Sequence, residues 1–329
     1  MARIAIPLAL SRERARPREG RLVRCSGPTM GVAWTISALV PDGLAEAEVG
    51  AAVQAAVDEV VRQMSDWEAA SDLSRFNAAS PGWVEVPPGL LHVVQAGLSL
   101  AEATDGAFDP TLGRLVGLWG FGPAGPAADL PADATLAGAP AGWRQVELDL
   151  AGRRIRQPGG LALDLSGIAK GYGVDQAAQA LEALGVRDYL VEIGGELRGA
   201  GVKSSGEPWF VEIEPPPGFA ADEPILVALH ELSIATSGEW RRAVDHGGRR
   251  YGHTLDPATR RPLDNGVEQV TVLHAECMQA DALCTALAVM GPVAGLAFAD
   301  AEGLAALFVV REGGGLAERQ SRAFAAMLD

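Results

Sequence analysis

Lysine is almost missing from this 329-residue chain: Lys170 and Lys203 are the only two, and every other basic residue is arginine. Positive charge is scarce in general. The 27 Lys and Arg stand against 42 Asp and Glu, a formal net charge of −15. Such a chain repels phosphate backbones, which argues against a general nucleic-acid binder. A negatively charged ligand would need a metal ion or helix N-termini locally. The three cysteines, Cys25, Cys277 and Cys284, form neither an even disulfide framework nor a CxxC pattern, and the five histidines lack zinc-ligand spacing. Neither a Walker A loop nor GxGxxG occurs, so P-loop and Rossmann nucleotide binding are unsupported. No period of 20–50 residues points to a solenoid.

Long apolar runs are equally few. Residues 4–10 make a short apolar stretch interrupted by Pro7 and followed by Arg12, Glu13, Arg14, Arg16 and Arg18, a poor signal peptide. Arg24 before Cys25 argues against a lipoprotein box. The uncharged run 282–299 reaches spanning length, but Gly291-Pro292 divides it and Asp281 and Asp300 flank it, which fits two buried helices better. The sequence therefore predicts no membrane span and a cytoplasmic protein.

What is present suits a folded chain: 48% hydrophobic and 21% charged residues. Strands are expected at 21–26 and 32–40, separated by a turn at 27–31. Val49, Val53, Val57, Val60 and Met64 then make one helical stripe. A second helix is expected at 90–103, a Gly/Ala/Pro-rich surface loop at 122–142, and a hairpin from 143–148 and 153–156. A strand at 161–165 leads into a helix at 169–184, closed by Gly185. Further strands are expected at 189–193, 209–213, 225–230, 249–254, 267–274 and 304–310, with helices at 278–290 and 293–299. Hairpins are as frequent as strand–helix alternation, so the fold class is α+β with mixed or antiparallel sheets and packed helices.

Three constellations carry chemistry. In residues 163–175 a strand delivers Asp164 to a glycine-containing turn that opens a helix, and Lys170 sits in the first turn, where its charge opposes the helix dipole. A lysine so placed, in a chain that avoids lysine, suggests a ligand; a solvated helix-end lysine is the plainer alternative. Asp281 and Thr285 stand four residues apart on one helical face and can offer two oxygens to Mg²⁺, although a helix-start Asp with a back-bonded Thr makes the same pattern. His253, close to Asp256 and Pro257, suits a general base with an orienting carboxylate, and equally an ordinary strand-end histidine.

Eight motifs follow one another in order: Thr29-Met30-Gly31; Met64–Trp67 with Ser71–Asn77; Asp105–Thr111; Asp164–Asp175; Gly194-Gly195-Glu196; Ala235–Gly238; His253–Pro257; and Ala280–Thr285. Taken together, they resemble the ApbE-type flavin transferases. The resemblance spans about 29–310. It implies two lobes around an FAD-binding cleft, formed by residues 21–329 as one domain, with a poorly ordered segment at 1–20. It also implies Mg²⁺-dependent transfer of the FMN half of FAD to a Thr or Ser of a target flavoprotein, forming a phosphodiester and releasing AMP. By position, Asp281, Thr285 and the Gly167 carbonyl would bind Mg²⁺. Met30, Ala107, Phe108, Asp109, Asp164, Lys170 and Thr254 would contact FAD. Trp67 takes the family's usual Tyr position, and His253 and Lys170 would be catalytic. The sequence departs from the family pattern at Val32, Gly252, Cys284 and Arg260, the last standing where the family generally has Gly. Family members are often periplasmic or membrane-anchored. An FAD pyrophosphatase and a non-catalytic FAD-binding protein are the alternatives.

Overall fold

Eight strands lie side by side in the order in which the chain produces them, each antiparallel to the next. They are Arg21–Thr29, Val32–Val40, Asp188–Ile193, Glu196–Ala200, Leu232–Gly238, Val267–His274, Ala305–Glu312 and Gly315–Gln320. The computed structural model describes residues 2–8, 13–125, 129–219, 223–238, 240, 243–246 and 248–328. All other elements are excursions from this meander. The largest, residues 41–187, carries helices α1 (Glu46–Met64), α2 (Asp72–Ala78), α3 (Pro88–Ala103), α4 (Gly113–Leu118), α5 (Asp133–Gly138) and α6 (Ala169–Ala183). Helix α7 (Cys277–Glu302) and helix α8 (Arg322–Met327) come later.

The period-two pleat explains the layering. Trp34, Ile36, Ala38 and Val40 point to one face, where Val49, Val53 and Val57 of α1 and Val174, Ala177 and Leu181 of α6 cover them. Farther along that face, Ala235, Val270, Val272 and Phe308 receive Ala280, Leu283, Cys284 and Leu287 of α7. The alternate residues Ile234, Leu273 and Leu307 pack on the other face. Their partners are α8 and a small sheet of Arg3–Ala5, Ile225–Leu229 and Trp209–Glu212.

The α+β class is as expected, and several local expectations need correction. Residues 3–5, within the segment expected to lack order, pair in parallel with 225–227, and Ala5 is fully buried. Within 122–142, α5 forms because Leu136 finds an apolar cluster with Leu115, Trp119 and Phe121; residues 126–128 of the expected loop, like Leu10 and Arg12, lie outside the described set. Residues 143–145 make a 3₁₀ turn, leaving only Leu148–Asp149 to pair with Arg154–Gln157, whose longer partner is Gly82–Glu85. Residues 161–165 are not a strand; a single bridge joins Ala162 to Leu112. Gly291 (φ 76°, ψ 175°) breaks α7 at the expected place. By length and composition α7 would pass for a membrane span, yet half of its most apolar window is buried inside the fold.

Candidate active site

Two tight turns and one helix crossing build the site. Thr29 pairs with Val32, so Met30 and Gly31 form a two-residue hairpin turn with φ of 48° and 73°. A side-chain-bearing residue in that conformation is uncommon. The Met30 side chain lies over α6, where a Cβ on Gly173 would come within 2.8 Å of Met30 Cε. A second turn, Gly194-Gly195, sets Ile193 opposite Glu196 and delivers Glu196 into the interior, 2% exposed.

Helices α6 and α7 meet at Gly171. A Cβ there would stand 2.3 Å from the Cys277 carbonyl oxygen, so only glycine permits the approach. The Gly171 N–H donates to Oδ2 of Asp281 at 2.9 Å. One turn farther along α6, the Asp175 carboxylate accepts from the N–H groups of Cys277 (3.1 Å) and Met278 (2.9 Å) and from Arg198 (2.6 Å). It thereby caps α7 from outside, complementing the helix dipole. The crossing is rigid.

Lys170 donates to Glu196 Oε1 at 2.6 Å, while Glu196 Oε2 is buried with no hydrogen-bond partner. Burial pushes the Glu196 carboxyl up to about 7, against the pull of Lys170 and with Asp281 adding to the rise. Burial also raises Asp281, opposed by Lys170 and the Gly171 N–H. Burial alone would lower Lys170, but Glu196 and Asp281 outweigh it and the ammonium is held above its ordinary value. The unfavourable helix-dipole position of Lys170 is thus offset by two carboxylates, one of them already implicated by sequence.

At Gly167 a Cβ would lie 2.9 Å from Thr285 Oγ1 and 3.6 Å from Phe108 Cε2, which places Gly167, Thr285 and Phe108 together. Among the described residues no three His, Cys, Asp or Glu side chains gather as a metal cluster. A cation here would rely on one carboxylate, one hydroxyl and backbone carbonyl oxygen. Those are hard oxygen donors, the set suited to Mg²⁺ with water and substrate phosphate completing its shell. The narrow Gly167–Thr285 approach, which a methyl would fill, fits that assignment.

The structure therefore brings Met30, Phe108, Gly167, Lys170, Asp281 and Thr285 to the two helices. Asp164 lies in the turn before α6, where its N–H donates to Pro110 O at 2.8 Å and its carboxylate accepts from the Ser166 N–H and hydroxyl. Asp109 is occupied in its own loop, accepting from Thr111 and from the Trp143 N–H. Ala107 is held there by an N–H bond to Thr104 O. Trp67 stands on the turn after α1, 57% exposed, its N–H bonded to Ser65. His253 and Thr254 follow the strand Arg249–Gly252; the His253 ring meets Phe121 edge-on with centroids 6.4 Å apart. Sequence reasoning assigned no role to Glu196, Asp175 or Asn77, which brackets Leu163 with two hydrogen bonds beside Asp164. The rarity of lysine was the available signal for Glu196, since a half-buried ammonium calls for a counter-ion.

The family model for the ApbE family matches residues 30–308. The chain belongs to the ApbE family. A Vibrio cholerae relative named FAD:protein FMN transferase is 38% identical over 92% of this chain and 91% of its own. One from Haemophilus influenzae, of the same name, is 35% identical over 98% and 95%. Among solved structures, the apo form of the Pseudomonas stutzeri flavinyl transferase ApbE superposes with a TM-score of 0.87 at 38% identity, covering 94% of this chain and 98% of that one. The ApbE-type α+β fold is therefore shared along nearly the whole chain.

Proposed function

We propose that this protein is an FAD:protein FMN transferase that moves the FMN half of FAD to a Thr or Ser hydroxyl of a target flavoprotein, with AMP leaving. The observation that carries the reading is the convergence of Lys170, Asp281, Thr285 and Gly167 at the α6–α7 crossing, in a chain otherwise poor in cations. The names of the relatives support the same chemistry. Asp281, Thr285 and the Gly167 carbonyl would hold Mg²⁺, which neutralises charge on phosphoryl oxygens when bound. Lys170, kept charged by Glu196 and Asp281, would face the pyrophosphate and stabilise charge developing there. Met30 and Phe108 supply apolar surface next to the crossing, and Trp67 an exposed aromatic face for a flavin or adenine ring. His253 would take the proton from the acceptor hydroxyl, a weak nucleophile without a base. The chain from Arg3 onwards would act as one unit, since Arg3–Ala5 pairs with Ile225–Val227.

The test is incubation with FAD, Mg²⁺ and a small flavoprotein domain bearing an acceptor Thr, followed by a denaturing gel. Flavin fluorescence on the acceptor band, lost when Mg²⁺ is chelated, is the expected result. Release of FMN and AMP without a fluorescent band would make the protein an FAD pyrophosphatase. FAD recovered intact would leave only binding.

A further inference from the structure

Helix α5 belongs to the Gly/Ala/Pro-rich excursion, apart from the residues gathered at the α6–α7 crossing. The structure grips it by two consecutive residues. Nη1 of Arg260 lies 2.7, 3.1 and 2.9 Å from the carbonyl oxygens of Leu136, Ala137 and Ala139, at the C-terminal end where helix carbonyls lack partners. Arg261 pairs with Asp133 at the other end. Arg260 adopts φ 61°, a conformation that suits glycine better than a side-chain-bearing residue. The backbone on either side of it is fixed: its N–H donates to Asp256 O at 2.7 Å, and its carbonyl accepts from the Trp119 indole at 3.0 Å.

What this grip holds leads to His253. Leu136 of α5 is 3% exposed, in one apolar cluster with Leu112, Leu115, Trp119, Phe121 and Leu255. Phe121 presents its ring to the His253 imidazole, and Leu255 lies two residues beyond it. Downstream of α5, the Gly142 N–H donates to Thr111 Oγ1 at 2.7 Å and the Trp143 N–H to Asp109. The excursion is thus tied to the Asp109 loop on one side and to the His253 segment on the other.

We propose that Arg260 is a positioning residue for the transfer step, clamping α5 so that the Leu136–Phe121 cluster sets the His253 ring. The proposal rests on reading His253 as the general base. A displacement of about 1 Å in a reacting group can cost on the order of a hundredfold in rate.

The test compares Arg260→Gly, Arg260→Lys, Leu136→Ala, His253→Gln and the Arg260→Gly/His253→Gln double variant in the full chain. Flavin transfer to an acceptor flavoprotein domain at saturating FAD, FAD affinity and melting temperature are measured on each. Arg260→Gly is expected to slow transfer by roughly ten- to a hundredfold while FAD affinity holds. Leu136→Ala, which leaves the Arg260 backbone alone, should do the same, and Arg260→Lys should recover part of the loss. The double variant should be no slower than His253→Gln alone. Wild-type transfer by both Arg260→Gly and Leu136→Ala, or an equal loss in the His253→Gln background, overturns the proposal while the reading of His253 stands. Wild-type transfer by His253→Gln overturns that reading, and the proposal with it.

Discussion

Replacing Gly171 by alanine tests whether the α6–α7 crossing is as tight as its geometry requires. At an open helical position the exchange would stabilise by about 0.5–1 kcal/mol, since glycine is a poor helix former. At Gly171 the new methyl would lie 2.3 Å from the Cys277 carbonyl oxygen and 2.8 Å from Asp281 Cβ, and the first of these is backbone that cannot rotate away. Overpacking of that kind costs about 1–3 kcal/mol. Separating the helices also weakens the Gly171 N–H bond to the Asp281 carboxylate, which contributes about 1.5–3 kcal/mol. The net expectation is a loss of about 2–5 kcal/mol, roughly 3–7 °C in melting temperature for a chain of this length, together with weaker Mg²⁺-dependent FAD binding. Gly117→Ala in α4 is the control, because nothing lies within 4 Å of a Cβ there. It should melt at or slightly above the wild type. Gly171→Ala melting as high as Gly117→Ala would refute the reasoning, because the crossing would then have room to spare.

Asp281→Asn keeps an oxygen for the Gly171 N–H but removes the charge, so turnover should become undetectable at limiting Mg²⁺ with melting temperature little changed; wild-type turnover there would place the metal elsewhere. His253→Gln should preserve FAD affinity and slow transfer by roughly 10²–10⁴, the usual contribution of a positioned base, measured as acceptor-bound flavin over time. Burial holds the Glu196 carboxyl up to about 7 against an ordinary 4.5. The folded protein therefore retains a proton that the unfolded chain gives up, and the Glu196 contribution to stability is fullest below 4.5 and falls as pH rises through that window, by up to about 1.4 kcal/mol per pH unit. Denaturant titrations of the ligand-free protein should show this slope, and Glu196→Gln should flatten it; an unchanged slope would assign it to another group.

The fold was legible where one physical rule governed. The stripe from Val49 to Met64 has a single solution as a helix against a sheet, and the strand at 267–274 has the expected bounds because alternate valines face a buried helix. Legibility failed where tertiary contact overrode local pattern. The residues of α5 have little apolar periodicity of their own; the helix is held by the cluster that takes in Leu136 and by Arg260, more than 120 residues later, which donates to its last carbonyls. The 161–165 segment reads as a strand from its leucines, yet its hydrogen bonds go to Asn77 and to the loop before α4. In the site, Asp281, Thr285 and Lys170 were recognisable as residues with unusual placement. Glu196 and Asp175 stood inside recognised motifs, but their roles as buried counter-ion and as cap of another helix depend on partners distant in the sequence. Arg260 was visible only as a departure from the family pattern.

The central claim is that Asp281, Thr285 and the Gly167 carbonyl seat a divalent ion beside the pyrophosphate of FAD. Crystals grown with FAD and Mn²⁺, an oxygen-preferring ion that substitutes for Mg²⁺ and scatters anomalously, test it most directly. The account predicts one strong anomalous peak within coordination distance of the Asp281 carboxylate and the Thr285 hydroxyl, with the FAD phosphates completing the shell. A peak bound to other side chains, with Asp281 still engaged only by Gly171 and Lys170, would contradict it.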